Sequence, residues 1–314
     1  MFNKQLHEGP DPYASLAVEV RQILDLKLGV AFSRFQSKFI KSKYVGFENQ
    51  VVSYGPCQIP TLSLVVQKQL RINNFVPEPY YRLVFEILLQ DPLNKLPDIS
   101  LNLTDSSSKR YKTKEEALKV KTELAQSEIT PLKSVSRKMK TIGKPAALNT
   151  VQLLKYATKH FGMSSHSVMG IAEKLYLQGY VTYPRTETTS YPKNFNFKNL
   201  VDALSGYPEN RISSFAKDLL SKGKVGSNKG KDCGDHPPIT PTSKIPSNLS
   251  GGDSIIYDYI ASYYLSSVSS DLKYEEVKYE TFVGSIKLTF TEKILIEGGF
   301  KEISKNPAWK NEYK

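Results

Sequence analysis

Two blocks of period-two apolar alternation lie far apart in this chain. Tyr81, Leu83, Phe85, Ile87 and Leu89 form one block, with a partner strand expected at 99–104. Val277, Tyr279, Thr281 and Val283 lead into Gly284-Ser285, after which Ile286, Leu288 and Phe290 alternate back. Alternation of this kind marks half-buried strands. Gly-Ser between two such runs suits a two-residue hairpin, because glycine tolerates positive φ. The sequence between the blocks is helical in character. The chain therefore reads as one β domain interrupted by an inserted helical domain.

The segments before and inside the interruption carry helical periods. Leu16, Val20, Ile23, Leu24, Leu26 and Leu28 recur near 3.6 residues, and Phe32, Phe35 and Phe39 continue the pattern. A second apolar helix is expected over 59–72. Inside the insert, Asn149 or Thr150 can cap a helix bearing Val151, Leu154, Ala157 and Phe161, with Gly162 as its stop. Ser164 or Ser165 starts the next, with Val168, Ile171, Ala172, Leu175 and Tyr176 as its stripe and Gly179 as its end. A strand is expected at 180–183. Helix, short turn, helix and strand is the order of a winged helix-turn-helix, although an ordinary helical hairpin has the same pattern. The Gly/Lys/Ser loop at 221–235 is expected to be mobile, and it does not match G-x-x-x-x-G-K-[ST].

Composition narrows the class. The 314 residues suggest about two domains. No run approaches the ~18 apolar residues of a membrane span, and the start has no apolar signal-peptide core. The only cysteines, Cys57 and Cys233, exclude a disulfide scaffold and a cysteine-based zinc ribbon. A net charge of +12 makes a polyanion partner plausible. Residues 104–145 carry half of it, with eleven basic residues against five acids. A solvated helix face over 115–126 and a wall of a nucleic-acid channel both fit that cluster.

The chemistry concentrates in GYVTYPRTETTSYP at 179–192. Pro184 pushes Tyr183 toward extended backbone, so Arg185, two residues on, projects to the same side. A guanidinium offers a planar fork suited to a phosphate. Phenol, with an ordinary pKa of about 10, is a weak nucleophile at neutral pH unless a cation favours its ionised form. Thr186 and Thr188 add hydroxyls, and Glu187 a carboxylate. These are the parts needed to attack a phosphodiester and hold a phosphotyrosine. A buried tyrosine beside a surface Arg185–Glu187 pair fits the same residues.

Tyr183-Pro-Arg-Thr-Glu-Thr188, preceded by Gly179-Tyr180, closely resembles the active-site segment of type IA DNA topoisomerases of the eukaryotic topoisomerase III kind. The segments 171–179 (IAEKLYLQG), 53–62 (SYGPCQIPTL), 20–29, 31–36 and 236–242 (HPPITPT) resemble further family blocks, in family order. The resemblance implies that Tyr183 is the nucleophile, leaving a 5′-phosphotyrosine, and that Arg185 positions the scissile phosphate. It implies that Glu187 supports Arg185 or touches DNA, as Thr186 would, and that His236 lies near the site and contacts DNA. Arg21, Asp25, Ser53 and Gln58 would line a single-strand groove. The implied fold is mixed α and β and multidomain: a partial helical body at 1–74, a β arch at 75–142 and 270–300, a winged-helix-like domain with the tyrosine inserted at 143–269, and a tail at 301–314. Single-stranded DNA is the implied partner, with a RecQ-type helicase and an OB-fold accessory protein by the same resemblance, no membrane, and a nuclear location. Transesterification conserves the phosphodiester energy, so no ATP is implied.

The sequence departs from the family in two places. Family members begin with a toprim domain whose D-x-D motif holds Mg²⁺, and this chain has no D-x-D. A later helical block with a G-I-G-T-D-A-T-like motif is also missing. The chain is thus expected to be the middle of a longer enzyme, weak or dead in relaxation by itself, with Mg²⁺ ligands absent. A non-catalytic single-strand-binding module and half of a split enzyme, completed by a separate toprim chain, are the alternatives.

Overall fold

The computed structural model describes residues 11–89, 99–105, 109–127, 134–223, 225–303 and 307–313. The basic cluster at 104–145 therefore lies partly outside the described residues. The chain divides into two compact units, Met1–Pro79 and Tyr80–Lys314.

The first unit is helical. Helix α1, Pro12–Lys43, starts where the Asp11 carboxylate accepts the Tyr13 N–H, and it ends with Lys41 and Lys43 in the last turn, where cations suit the helix dipole. Helix α2 is Gln58–Asn73, one residue wider at each end than its apolar period suggests. The extended stretch before α2 is tied to α1 by side-chain bonds. Val52 N–H donates to Ser37 Oγ and Tyr54 N–H to Ser33 Oγ at 3.0 and 2.8 Å, while Gln36 Nε2 donates to the Val52 carbonyl. Leu16, Val20, Leu24 and Phe35 on α1, and Leu62 and Val65 on α2, remain exposed.

The second unit joins an antiparallel sheet to a helical domain. Strands β1 (Phe85–Leu89), β2 (Ile99–Asp105), β3 (Ser134–Ile142), β4 (Leu272–Val283) and β5 (Ile286–Glu297) lie in the order β1-β2-β5-β4-β3. Helix α3, Lys114–Ala125, connects β2 to β3 in sequence and is capped by the Thr113 hydroxyl. The expected hairpin is present: Val283 faces Ile286 across Gly284-Ser285, with Gly284 at φ 55°. Because β3 comes from before the insert and pairs along its whole length with β4 from after it, the sheet is interrupted by 143–271.

The interruption holds helices α4 (Thr150–Phe161), α5 (Ser165–Leu177), α6 (Phe197–Ser205), α7 (Asn210–Lys222) and α8 (Gly251–Val268). Asn149 caps α4, Gly162 ends it at φ 66°, and Ser164 caps α5. The main core lies here, with Leu153 and Ala157 of α4, Val168 and Leu175 of α5, and Ile260 and Leu265 of α8 all buried. Helix α8 sits at its centre. Its sequence is apolar nearly all round, so it shows no one-sided stripe.

The expected strand at 180–183 reduces to a single bridge between Val181 and Pro241. The facing stretch explains this. Pro238 has no N–H to give, the Thr240 N–H goes to the Thr182 hydroxyl instead of a carbonyl, and the Tyr180 N–H goes to the Leu175 carbonyl at the end of α5. Two backbone bonds survive, Thr182 N–H to Thr240 O and Thr242 N–H to Tyr180 O. Within the expected loop at 221–235, residues 230–231 lie beside Thr189, whose N–H donates to the Lys231 carbonyl. Gly230, at φ 106°, lies so close to Thr189 that a Cβ would collide with its carbonyl.

Candidate functional site

Tyr183 stands half-buried at the end of the extended 180–183 segment. Its ring is bracketed by two others. Tyr176, in the last turn of α5, packs edge-on with centroids 5.2 Å apart, and His236 packs edge-on at 4.6 Å. The glycine turn at 179, φ 78°, folds the chain leaving α5 back beside the helix end and so brings Tyr183 to Tyr176, while His236 arrives from the 233–236 loop.

Three separate elements fix the residues that follow. From α4, the Thr150 hydroxyl donates to the Pro184 carbonyl at 2.7 Å and accepts the Thr186 N–H at 2.8 Å, while Thr150 N–H donates to Thr186 O. From α5, Glu173 Oε1 accepts Arg185 Nε at 2.8 Å and Nη2 at 2.6 Å. From the 233–236 loop, the Asp235 carboxylate accepts the Glu187 N–H at 2.7 Å and the hydroxyls of Thr188 and Thr186. Those donors hold the Asp235 carboxyl down at about 2, the Glu187 backbone N–H contributing most.

Several expected residues therefore meet and others do not. Tyr183, Arg185, Thr186, Glu187 and His236 share one small region. Thr186, expected to offer its hydroxyl to DNA, is buried and spends it on the His236 carbonyl at 2.6 Å. Arg185 turns to Glu173, not to Glu187, whose backbone serves Asp235. Arg21 and Asp25 are exposed and 3.9 Å apart on successive turns of α1, while Ser53 and Gln58 are exposed at the start of α2 and just before it, all in the first unit. Glu173, Tyr176, Thr150 and Asp235 were missed as site residues. Glu173 and Tyr176 were legible in principle, since i and i+3 on one helix share a face and the helix runs straight into Gly179-Tyr180. Asp235 was not, because its partners lie nearly fifty residues upstream.

Among the described residues no group of three or more His, Cys, Asp or Glu side chains is placed to hold a metal ion. These residues do not fit a Mg²⁺ site. No described helix is long and apolar enough to cross a membrane.

Comparison with known proteins agrees along almost the whole length. The model of a DNA topoisomerase family matches residues 11–314. Human DNA topoisomerase 3-beta-1 is 37% identical over 295 residues, covering 94% of this chain and 33% of the relative. Human DNA topoisomerase 3-alpha is 35% identical over 275 residues, covering 86% and 26%. The chain thus spans about a third of the length of the curated relatives it matches. A solved structure of full-length topoisomerase I from Thermotoga maritima superposes with a TM-score of 0.64 at 19% identity, covering 92% of this chain and 45% of that one. That likeness concerns the fold alone.

Proposed function

Since the chain belongs to the DNA topoisomerase family, in the topoisomerase III-like, type IA branch, we propose that it supplies the nucleophile of a single-strand cleavage and religation reaction. Tyr183 Oη attacks the scissile phosphorus. An O–P bond forms, the bond to the 3′ oxygen of the upstream nucleotide breaks, and the downstream strand stays on the enzyme as a 5′-phosphotyrosine. The reverse attack by the 3′ hydroxyl reseals the strand after passage, which relaxes negative supercoils without ATP.

The observation that carries this reading is the constraint around Tyr183: two rings bracket it, and Arg185, two residues on, is held by its Nε and Nη2 on one carboxylate oxygen. A fixed phenol beside a fixed guanidinium is a preorganised pair for a phosphate. Glu173 acts as the positioning group for Arg185. His236 and the exposed Glu187 complete a surface for the strand next to the cut, and Thr186 acts from beneath by fixing the His236 carbonyl. Arg21, Asp25, Ser53 and Gln58 belong to the proposal as a groove for single-stranded DNA. The inserted helical domain at 143–269 is read as winged-helix-like on the α4–turn–α5 order.

The same reading holds that the chain alone is impaired, because the acid/base and Mg²⁺ ligands of the family's toprim domain are not among its residues. Partners of the helicase and OB-fold kinds, and a nuclear location, rest on family resemblance. The test is incubation with end-labelled single-stranded oligonucleotide and Mg²⁺, resolved on a denaturing gel. The reading expects a trace adduct at most, lost in Tyr183→Phe. Rapid adduct formation by the chain alone would overturn the impairment, and an adduct surviving Tyr183→Phe would overturn the nucleophile.

A further inference from the structure

We propose that Asp235 is a positioning residue for the cleavage site, clamping the segment after Tyr183 to the loop that carries His236. The proposal rests on the reading of Tyr183 as nucleophile, and it goes further by naming the group that sets the distance between the phenol and the imidazole.

The geometry is that of a two-sided clamp. One carboxylate oxygen, Oδ2, takes the Glu187 N–H at 2.7 Å, and the other, Oδ1, takes the hydroxyls of Thr188 and, at 3.3 Å, Thr186. The adjoining bonds run the same way: Thr186 Oγ1 donates to His236 O at 2.6 Å, and Cys233 N–H donates to Thr188 Oγ1 at 3.1 Å. Residues 233–236 and 186–188 are thereby tied into one body. Arg185 precedes that body by one residue and His236 ends it. Thr186 and Thr188 are buried, so their hydroxyls need these acceptors. An exposed aspartate that only solvated a loop would not gather the Glu187 N–H and the Thr188 hydroxyl from another segment, one on each oxygen. A carboxylate accepts on both sides at once. Asparagine has the same shape, yet with its oxygen on the Glu187 N–H its amide nitrogen faces the Thr188 hydroxyl, which loses its acceptor.

The test is Asp235→Asn in the full chain, read by NMR of the histidine rings. His236 lies against the Tyr183 ring, so its ring protons carry a ring-current shift, calibrated by Tyr183→Ala. His160, whose ring lies tilted against Tyr156 with centroids 4.4 Å apart, serves as an internal reference in α4. The expected result is that Asp235→Asn moves the His236 shift most of the way to the Tyr183→Ala value, with His160 unmoved, which marks a local change in a folded chain. Thr188→Val, which removes one donor to Asp235 and the acceptor of the Cys233 N–H, gives a smaller movement in the same direction and serves if Asp235→Asn does not fold. A His236 shift unchanged in the folded variants overturns the proposal. In the covalent-capture assay the displaced pair is expected to lower the rate by on the order of 100-fold, the loss associated with ~1 Å misplacement; an equal rate with a moved His236 also overturns it. Failure of the unaltered chain to capture DNA even with a toprim segment added counts against the nucleophile reading, and the ring shift still decides the clamp.

Discussion

Replacing Glu173 with Gln separates binding from chemistry at this site. The Arg185–Glu173 pair is open to solvent, with side chains 60% and 39% exposed. Exposed pairs of this kind contribute only ~0.2–1 kcal/mol, so Glu173→Gln leaves the fold intact. The electrostatic consequence is larger. In the unaltered chain, Glu173 offsets the charge of Arg185, so a DNA phosphate must compete for that guanidinium. Removing the carboxylate frees one cation, and each additional phosphate neutralised on a single strand steepens the slope of log K against log salt by about 0.7. Binding of a single-stranded oligonucleotide, followed by fluorescence anisotropy across a salt series, therefore tightens at low salt and becomes steeper in salt. Covalent capture per bound complex falls, because the guanidinium no longer has a fixed direction. Weaker binding with an unchanged slope would refute the argument that Glu173 competes for this guanidinium. Unchanged capture would refute its positioning role.

Three further outcomes follow from other contacts. Gly230→Ala puts a Cβ against the Thr189 carbonyl at a backbone φ of 106°, which costs at least ~1–3 kcal/mol and opens the 189–190 contact; hydrogen exchange at the Thr189 amide reads this directly, and unchanged protection contradicts it. Lys144 joins the two chain crossings between the sheet and the inserted domain, its Nζ donating to the carbonyls of Gly226 and Ser269. Lys144→Met leaves both acceptors unpaired and is expected to lower stability by ~1–3 kcal/mol in urea unfolding, with no loss a mark against the junction. Asp235 has a folded carboxyl lowered from 3.8 to about 2 by its donors; such a group contributes stability above its unfolded pKa that is lost as pH falls through the folded one. The stability difference between the unaltered chain and Asp235→Asn should stay constant from pH 7 to 5 and close between about pH 4 and 2, as acid titrations monitored by circular dichroism will show.

What the sequence made legible followed from local rules. Asn149, Gly162, Ser164 and Gly284 each announced a cap or a turn, because these residues act on their nearest backbone neighbours. The strand blocks on either side of the insert were visible by alternation, although the pairing of β3 with β4, from opposite sides of the insert, was not. Helix α8 escaped because a helix buried all round has no amphipathic stripe. The strand at 180–183 was overread: its β-rich composition is real, but Pro238 lacks an N–H, and the N–H groups of Thr240 and Tyr180 go to the Thr182 hydroxyl and the Leu175 carbonyl instead of a ladder. At the site, Tyr183 and Arg185 were legible from spacing on one segment. The clamps on them were not, because Thr150, Glu173 and Asp235 arrive from three different elements.

The central claim is that Tyr183 forms the bond to DNA, and one measurement tests it most directly. The chain is incubated with a 3′-labelled single-stranded oligonucleotide and Mg²⁺, with and without an added toprim segment of a family member, then denatured, digested with trypsin and analysed by mass spectrometry. The account predicts that the label stays with the protein, that the nucleotide mass sits on the peptide spanning 175–185, and that the yield rises from a trace when the toprim segment is present. Nucleotide mass on any other peptide, a label retained only from the 5′ end, or no adduct even with the toprim segment would contradict it.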